Sequence, residues 1–258
     1  MGTALITGAS AGLGDGFARA LAAQGHDLIL TARRSDRLEV LADALRAQHG
    51  VAVRVFAADL AQADAAARLT DEIFAAGLMI DTLVNNAGFG THGAFAEATL
   101  ASQTGQIDVN CRALVMLTHA VLPGMVARRS GAILNLASVA AFQPGPWMAV
   151  YYATKAFVLS FSEAIHEEVK DRGVRVAALC PGPTRTEFAD VAAMADSELF
   201  KRFASDPQAV VRDGLSALNA NQAVKVSGLV NTLMADSIRF TPRLFARRIV
   251  GALQKGRT

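Results

Sequence analysis

Apolar and polar positions along the chain fall into two alternating textures. Short β-branched or aliphatic runs recur at Ala4 to Thr7, Asp27 to Thr31, Val51 to Phe56, Asp81 to Asn85, Ala132 to Leu136 and Val174 to Leu179, each bounded by turn residues. Most are followed by a segment of helical period. In Asp36 to His49, for example, Leu38, Leu41, Ala42 and Leu45 share one face, Arg37, Glu39, Asp43 and Arg46 lie off it, and Gly50 ends the run. Strands that read as continuous apolar runs are covered on both sides. The repeated alternation therefore predicts an α/β architecture, a doubly wound parallel sheet with helices on both faces. Residues 1–258 read as one domain without internal repeats or linkers. After Pro183 the alternation stops, and 184–221 predicts helical pieces without a strand, an insertion lying over the site.

Composition narrows the function classes. With 25 basic and 23 acidic residues the net charge is +2, and charged residues make up 19% of the chain. That balance argues against a disordered tail protein and against a nucleic-acid binder, which carries a large basic excess. No apolar run approaches the roughly 18 uninterrupted residues of a spanning helix, and MGTALITGAS lacks the order of a signal peptide. A cytoplasmic protein is expected, with Cys111 and Cys180 as reduced, buried thiols. His92, His119 and His166 show no metal-ligand spacing, so no metal is expected.

The first candidate chemistry lies where the first strand runs into Gly8-Ala9-Ser10-Ala11-Gly12-Leu13-Gly14 and a helix from Asp15 to Gln24. Gly8 suits a tight turn, Gly12 lets backbone approach a pyrophosphate, and Gly14 lets helix pack on strand, with the helix N-terminus facing the anion. This strand-turn-helix context predicts a Rossmann dinucleotide site. The literal GxGxxG at Gly88 to Gly93 opens no second such unit and reads as a loop edge. About twenty residues past the glycines an NAD site places an acid for the ribose hydroxyl; this chain has Ala32-Arg33-Arg34. Guanidinium groups there suit a 2′-phosphate, which favours NADP(H) over NAD(H). The competing reading makes Arg33 and Arg34 solvated residues before a helix cap at Ser35 or Asp36.

Tyr151 and Lys155 are four apart in a helix predicted over Ala149 to Asp171, so they share a face. An ammonium beside a phenol is expected to lower the tyrosine pKa toward neutrality, as general acid/base work on an alcohol or carbonyl requires. Ser138 follows the fifth strand, Asn85-Asn86-Ala87-Gly88 ends the fourth, and Asn110 falls in the helix between them. Ligands of such sheets bind at these carboxyl ends.

With these features, together with Asp59-Leu60 after the third strand and Pro181-Gly182-Pro183-Thr184-Arg185-Thr186, the chain resembles the short-chain dehydrogenase/reductase family up to about Thr186. Within it the chain looks most like NADP-preferring carbonyl and ketone reductases. The resemblance implies Tyr151 as acid/base, Ser138 as hydrogen-bond donor to the substrate oxygen, Lys155 on the nicotinamide ribose, and Asn110 holding a water in a proton relay. It implies Asp59 at the adenine, Asn86 beside the cofactor, and the backbone of Pro181 to Thr184 at the carboxamide. A homodimer or homotetramer built on the helices after the fourth and fifth strands is also implied. Two departures stand out. Ala11 occupies a place often basic in NADP-preferring members, and Ala223-Val224-Lys225-Val226 with an arginine-rich tail replaces a glycine-rich close. Tyr152, next to Tyr151, points about 100° away around a helix and reads as a packing aromatic.

Phe89, Phe142, Pro144, Pro146, Trp147 and Met148 on loops, then Phe188, Met194, Leu199, Phe200 and Phe203 beyond Pro183, predict an apolar substrate wall. Leu199, Phe200 and Phe203 are at helical spacing and serve equally well to dock a helix. The function expected is reversible hydride transfer between NADPH and an apolar ketone, aldehyde or secondary alcohol. The alternatives are an NAD-dependent alcohol dehydrogenase and a non-catalytic NADP(H) sensor. From Arg239 to Thr258 six residues are basic and none acidic, among Leu244, Phe245, Ile249 and Leu253. This face reads as solvated or as a subunit contact in preference to a membrane-surface helix.

Overall fold

The computed structural model describes residues 2–187 and 204–255. Strands β1 (Thr3–Thr7), β2 (Asp27–Thr31), β3 (Val53–Val55), β4 (Thr82–Asn85), β5 (Gly131–Leu136), β6 (Val174–Cys180) and β7 (Val224–Val226) alternate with helices. These are α1 (Gly12–Ala23), α2 (Ser35–His49), α3 (Ala65–Ala75), α4 (Leu100–Ile107), α5 (Leu114–Ala127), α6 (Ala149–Val169), α7 (Pro207–Asn219), α8 (Leu229–Ile238) and α9 (Arg243–Gln254). The seven strands form one sheet in the order β3-β2-β1-β4-β5-β6-β7, and every pair is parallel. The expected doubly wound architecture is present, and the strand order reverses between β1 and β4.

Alternate residues of each strand feed two apolar layers, as the pleat requires. Ile6, Leu28, Leu30, Val84 and Leu134 pack with Phe17 and Leu21 of α1, Leu38 and Leu45 of α2, and Val210 and Leu215 of α7. Leu5, Ile29, Leu83, Ile133 and Val176 pack on the other face with Leu69 and Ile73 of α3 and Leu117, Val121 and Met125 of α5. Thus α7 belongs to the body of the fold, which corrects the expectation that all of 184–221 is an insertion over the site. The α7 start is fixed by Asp206, whose carboxylate accepts from the amides of Gln208 and Ala209, with Pro207 in the first turn. Residues 188–203, including the expected wall residues Phe188, Met194, Leu199, Phe200 and Phe203, lie outside the described part.

Three further features go beyond what the sequence pattern predicts. A seventh strand, the three-residue β7, pairs with β6 through Ala178, Leu179 and Cys180. It is too short to show a period. The helical run Leu100–Ala127 is, by length and composition, long and apolar enough to cross a membrane, although polar residues interrupt it. Its buried face covers the sheet in this fold, with Leu114, Leu117 and Met125 in the interior. Finally, Asn110 sits in a π-helical turn, Asp108–Ala113, that joins α4 to α5. Such turns are frequent at functional sites.

Candidate active site

The carboxyl ends of β1, β4, β5 and β6 open into a cleft of about 300 Å³ lined by Gly8, Ser10, Ala11, Gly12, Leu13, Asn86, Ala87 and Gly88, and further round by Ser138, Tyr151, Lys155, Pro181, Gly182, Thr184 and Thr186. Residues far apart in sequence converge because the strands stop together at the reversal of strand order. Thr7 clamps two of these ends: its hydroxyl accepts from the amides of Asn86 at 3.0 Å and Ala87 at 2.9 Å. In return the Asn86 Nδ2 donates to the Thr7 carbonyl at 2.8 Å.

The glycine turn is built for close approach. Gly8 has φ +67° and Gly12 φ +59°, values that L side chains rarely adopt. A Cβ at Gly14 would stand 2.2 Å from the Gly8 carbonyl oxygen and 2.6 Å from Asn86 Nδ2. Helix α1 begins at Gly12, earlier than expected, so Gly12 and Gly14 lie inside its first turn. Its N-cap, Ala11, offers no side-chain acceptor, which leaves the first amides for a ligand anion. The cradle fits the pyrophosphate of a nicotinamide dinucleotide.

Arg33 and Arg34 both line the cleft beside this turn. Arg34 donates to the Ser10 hydroxyl from Nε at 3.3 Å and from a terminal nitrogen at 3.2 Å, and pairs with Glu187 at 2.9 Å. Glu187 also pairs with Arg37 at 2.6 Å, and the two guanidiniums hold its carboxyl below the usual range. Asp59 and Leu60 are not brought to this wall. The Asp59 carboxylate accepts from the Ala61 amide, and the Leu60 side chain is buried under the sheet with Ala65 and Leu69.

At the other end, Ser138 ends the loop after β5 and Tyr151 and Lys155 share a face of α6. The Ser138 hydroxyl accepts from the Ala140 amide at 3.1 Å and is hydrogen-bonded to the Tyr151 phenol. Lys155 Nζ donates to the Leu136 carbonyl at 2.7 Å and stands 5.8 Å from the centre of the Tyr151 ring. The expectation of a tyrosine poised near neutrality is reversed in this structure. Burial of the phenol pushes its pKa above the ordinary value, and the Ser138 hydrogen bond offsets only part of that. Burial also lowers Lys155 to about 8, and the hydrogen bond it makes goes to a carbonyl.

Asn110 does not line the cleft. Its amide brackets Phe89, accepting from the Phe89 N–H at 3.1 Å and donating to the Phe89 carbonyl at 3.0 Å, and donates to the Thr154 hydroxyl at 3.0 Å. It ties the loop after β4 to α6, directly behind Gly88. Of the expected apolar wall, Phe89 and Met148 line the cleft. Phe142 does not: it faces a different hollow, with Ala235, Ile238 and Ala246 of the C-terminal helices. Trp147 has φ +69°, and its carbonyl accepts from the Gly93 amide. It too is absent from the cleft wall.

Two lining residues were not expected. Tyr152 borders the same cleft as Tyr151, their rings 6.1 Å apart in an edge-on arrangement, and Gln254 from the last helix closes over it. Gln254 Nε2 donates to the Tyr152 hydroxyl at 2.7 Å. No local motif marks Gln254, because only the packing of α9 across the molecule brings it here.

The sequence of residues 2–196 matches the short chain dehydrogenase family. This chain belongs to that family. It is 41% identical over 186 residues to sulfoacetaldehyde reductase 2 of Chromohalobacter salexigens, a match covering 71% of this chain and 73% of the relative. For a fungal relative the matched share is 60%, so the chain spans only part of some of its curated relatives. Among solved structures, a short-chain dehydrogenase from Sphingobium yanoikuyae in complex with NADPH superposes with a TM-score of 0.84 at 33% identity, covering 100% of this chain and 97% of that one. The bulky-bulky ketone specific alcohol dehydrogenase from Comamonas testosteroni gives 0.79 at 30% identity, covering 100% and 96%.

Proposed function

We propose that this short-chain dehydrogenase is an NADP(H)-dependent oxidoreductase that interconverts an apolar ketone or aldehyde and its alcohol. The observation that carries the reading is the convergence of Ser138, Tyr151 and Lys155 on one cleft with the glycine cradle. The buried Tyr151 phenol and Ser138 hydroxyl, bonded to each other here while Ser138 also donates weakly to the Pro181 carbonyl at 3.4 Å, are placed so that a substrate oxygen entering between them takes the one hydrogen of each as it gathers negative charge. A dinucleotide held by the glycine turn, Asn86 and Lys155 would supply hydride chemistry at this end of the cleft. Tyr151, held protonated by burial, gives its proton to the substrate oxygen, and the Lys155 ammonium stabilises the phenolate left behind. A ketone, NADPH and one solvent proton thus give an alcohol and NADP⁺.

The preference for NADP(H) is supported by Ser10, Arg33 and Arg34 around the place of a 2′-phosphate, and by the NADPH bound to the Sphingobium relative. An apolar wall is supported by Phe89 and Met148, and a ketone as substrate by the bulky-bulky ketone named for the Comamonas relative. Self-association of the chain into a dimer or tetramer is supported by the exposed apolar residues Leu100 and Ile107 of α4 and Phe157 of α6.

Tyr151→Phe tests the reading. It should bind NADPH as the wild type does, by fluorescence titration, while kcat on an apolar ketone falls by roughly 10²-fold or more. Wild-type turnover in that variant would overturn the assignment.

A further inference from the structure

Tyr152 and Gln254 lie at the cleft without a part in the chemistry described above. Both are almost fully buried, and both border the cavity that holds the Tyr151 ring. Their mutual hydrogen bond, 2.7 Å from Gln254 Nε2 to the Tyr152 oxygen, does not exhaust them. As placed, it leaves the Tyr152 O–H hydrogen, one amide hydrogen and the amide oxygen. If the amide is turned round, Tyr152 donates to its oxygen and both amide hydrogens remain. In either orientation at least one donor of the pair is left over, and no hydrogen bond to an acceptor among the described residues takes it up.

The pair is rigidly mounted. The Gln254 carbonyl accepts from His92 Nε2 at 2.7 Å, which fastens the end of α9 to the loop after β4. One turn earlier, the Gly251 backbone passes so close that a Cβ there would touch Pro146 at 3.3 Å. Burial raises the Tyr152 pKa, so the hydroxyl stays protonated and neutral. The cations of the cleft are elsewhere: Arg33 and Arg34 beside the glycine turn, and Lys155 on the Leu136 carbonyl.

We propose that Tyr152 and Gln254 form an uncharged oxygen-binding subsite that selects carbonyl substrates bearing a second oxygen, a hydroxyl or keto group, on a carbon close to the one that reacts. The closeness follows from the adjacency of the Tyr151 and Tyr152 rings, 6.1 Å between centres. An apolar wall with one polar pair is the arrangement that fixes orientation in small-molecule sites. A donor left unpaired by a plain ketone penalises that substrate, whereas an oxygenated one satisfies it.

The inference rests on the carbonyl-reductase reading, and the test separates the two. Wild type, Tyr152→Phe and Gln254→Leu are assayed with NADPH on a matched pair: an aryl methyl ketone and the same ketone hydroxylated on its methyl carbon. The readout is the ratio of kcat/KM for the hydroxylated over the plain ketone. The wild type should favour the hydroxylated partner, and each variant should lower the ratio about tenfold, the worth of one neutral hydrogen bond. Variants that slow both ketones alike, or a ratio near one in the wild type, would overturn the subsite and leave the reductase reading standing. If the wild type reduces neither ketone, the same ratio is read on another plain and α-hydroxylated ketone pair that it does turn over; absence of turnover on every carbonyl would remove the reductase reading and the subsite with it.

Discussion

Lys155 Nζ donates to the Leu136 carbonyl at 2.7 Å while standing 5.8 Å from the centre of the Tyr151 ring, so one buried ammonium joins the end of β5 to the face of α6. Burial lowers its pKa to about 8 from the ordinary 10.5, and that shift has a definite sign for stability. The charged form is disfavoured in the fold, so its cost is fully present below about pH 8 and fades as pH rises toward 10.5. Lys155→Met is therefore predicted to raise Tm relative to the wild type at pH 7, with the difference shrinking by pH 10. A thermal melt series across that range checks it.

The same shift governs activity. As pH rises through about 8, Lys155 loses its charge and with it the means to stabilise a Tyr151 phenolate. Carbonyl reduction under saturating NADPH is predicted to fall along a single limb near that pH, well below the titration of Tyr151 itself. A kcat profile from pH 6 to 10 measures this. A limb absent over the whole range would disconnect Lys155 from turnover.

Glu187 pairs with Arg34 and Arg37 at the edge of the cleft, beside the guanidinium to which the proposed NADP(H) preference assigns a 2′-phosphate. A carboxylate there competes with the phosphate for the same guanidinium, and both ion pairs are largely exposed, so the effect is modest and salt-dependent. Glu187→Gln is predicted to tighten NADPH roughly threefold while leaving NADH within about twofold. Arg34→Leu should weaken NADPH by about tenfold or more and NADH much less. Fluorescence titrations with both dinucleotides at low and high salt distinguish these outcomes.

Gly14 is the strictest position of the cradle, since any Cβ meets the Gly8 carbonyl oxygen at 2.2 Å. Gly14→Ala is predicted to lose dinucleotide binding and about 2 kcal/mol or more of stability, because backbone has to move. Asn110→Ala, by freeing Phe89 and leaving the buried Thr154 without its donor, should cost about 1–3 kcal/mol without removing dinucleotide binding. Denaturant unfolding and NADPH titration read both variants.

The sheet and the cofactor cradle were legible in the sequence because each is local. Six strands announced themselves as apolar runs, and the glycines sat where a strand enters a helix. The short β7 is not legible, since Val224-Lys225-Val226 carries too little period to register and is recruited by the edge of β6. The ionisation of Tyr151 is not legible in the sequence, because spacing on α6 reports that an ammonium is near but not how deeply the phenol is buried. Phe142 and Trp147 read as wall residues from their loop, yet Phe142 turns toward α8 and α9. Gln254 entered the site for the converse reason: its position depends on the docking of a helix a hundred residues away in sequence.

Reduction of a carbonyl with NADPH in this cleft is the central claim. Absorbance loss at the nicotinamide band, followed with NADPH and with NADH across a panel of aromatic, aliphatic and hydroxylated ketones at pH 7, tests it directly. The prediction is turnover on at least one apolar ketone, with kcat/KM for NADPH exceeding that for NADH. Tight NADPH binding without turnover of any carbonyl or alcohol, in either direction, would contradict it.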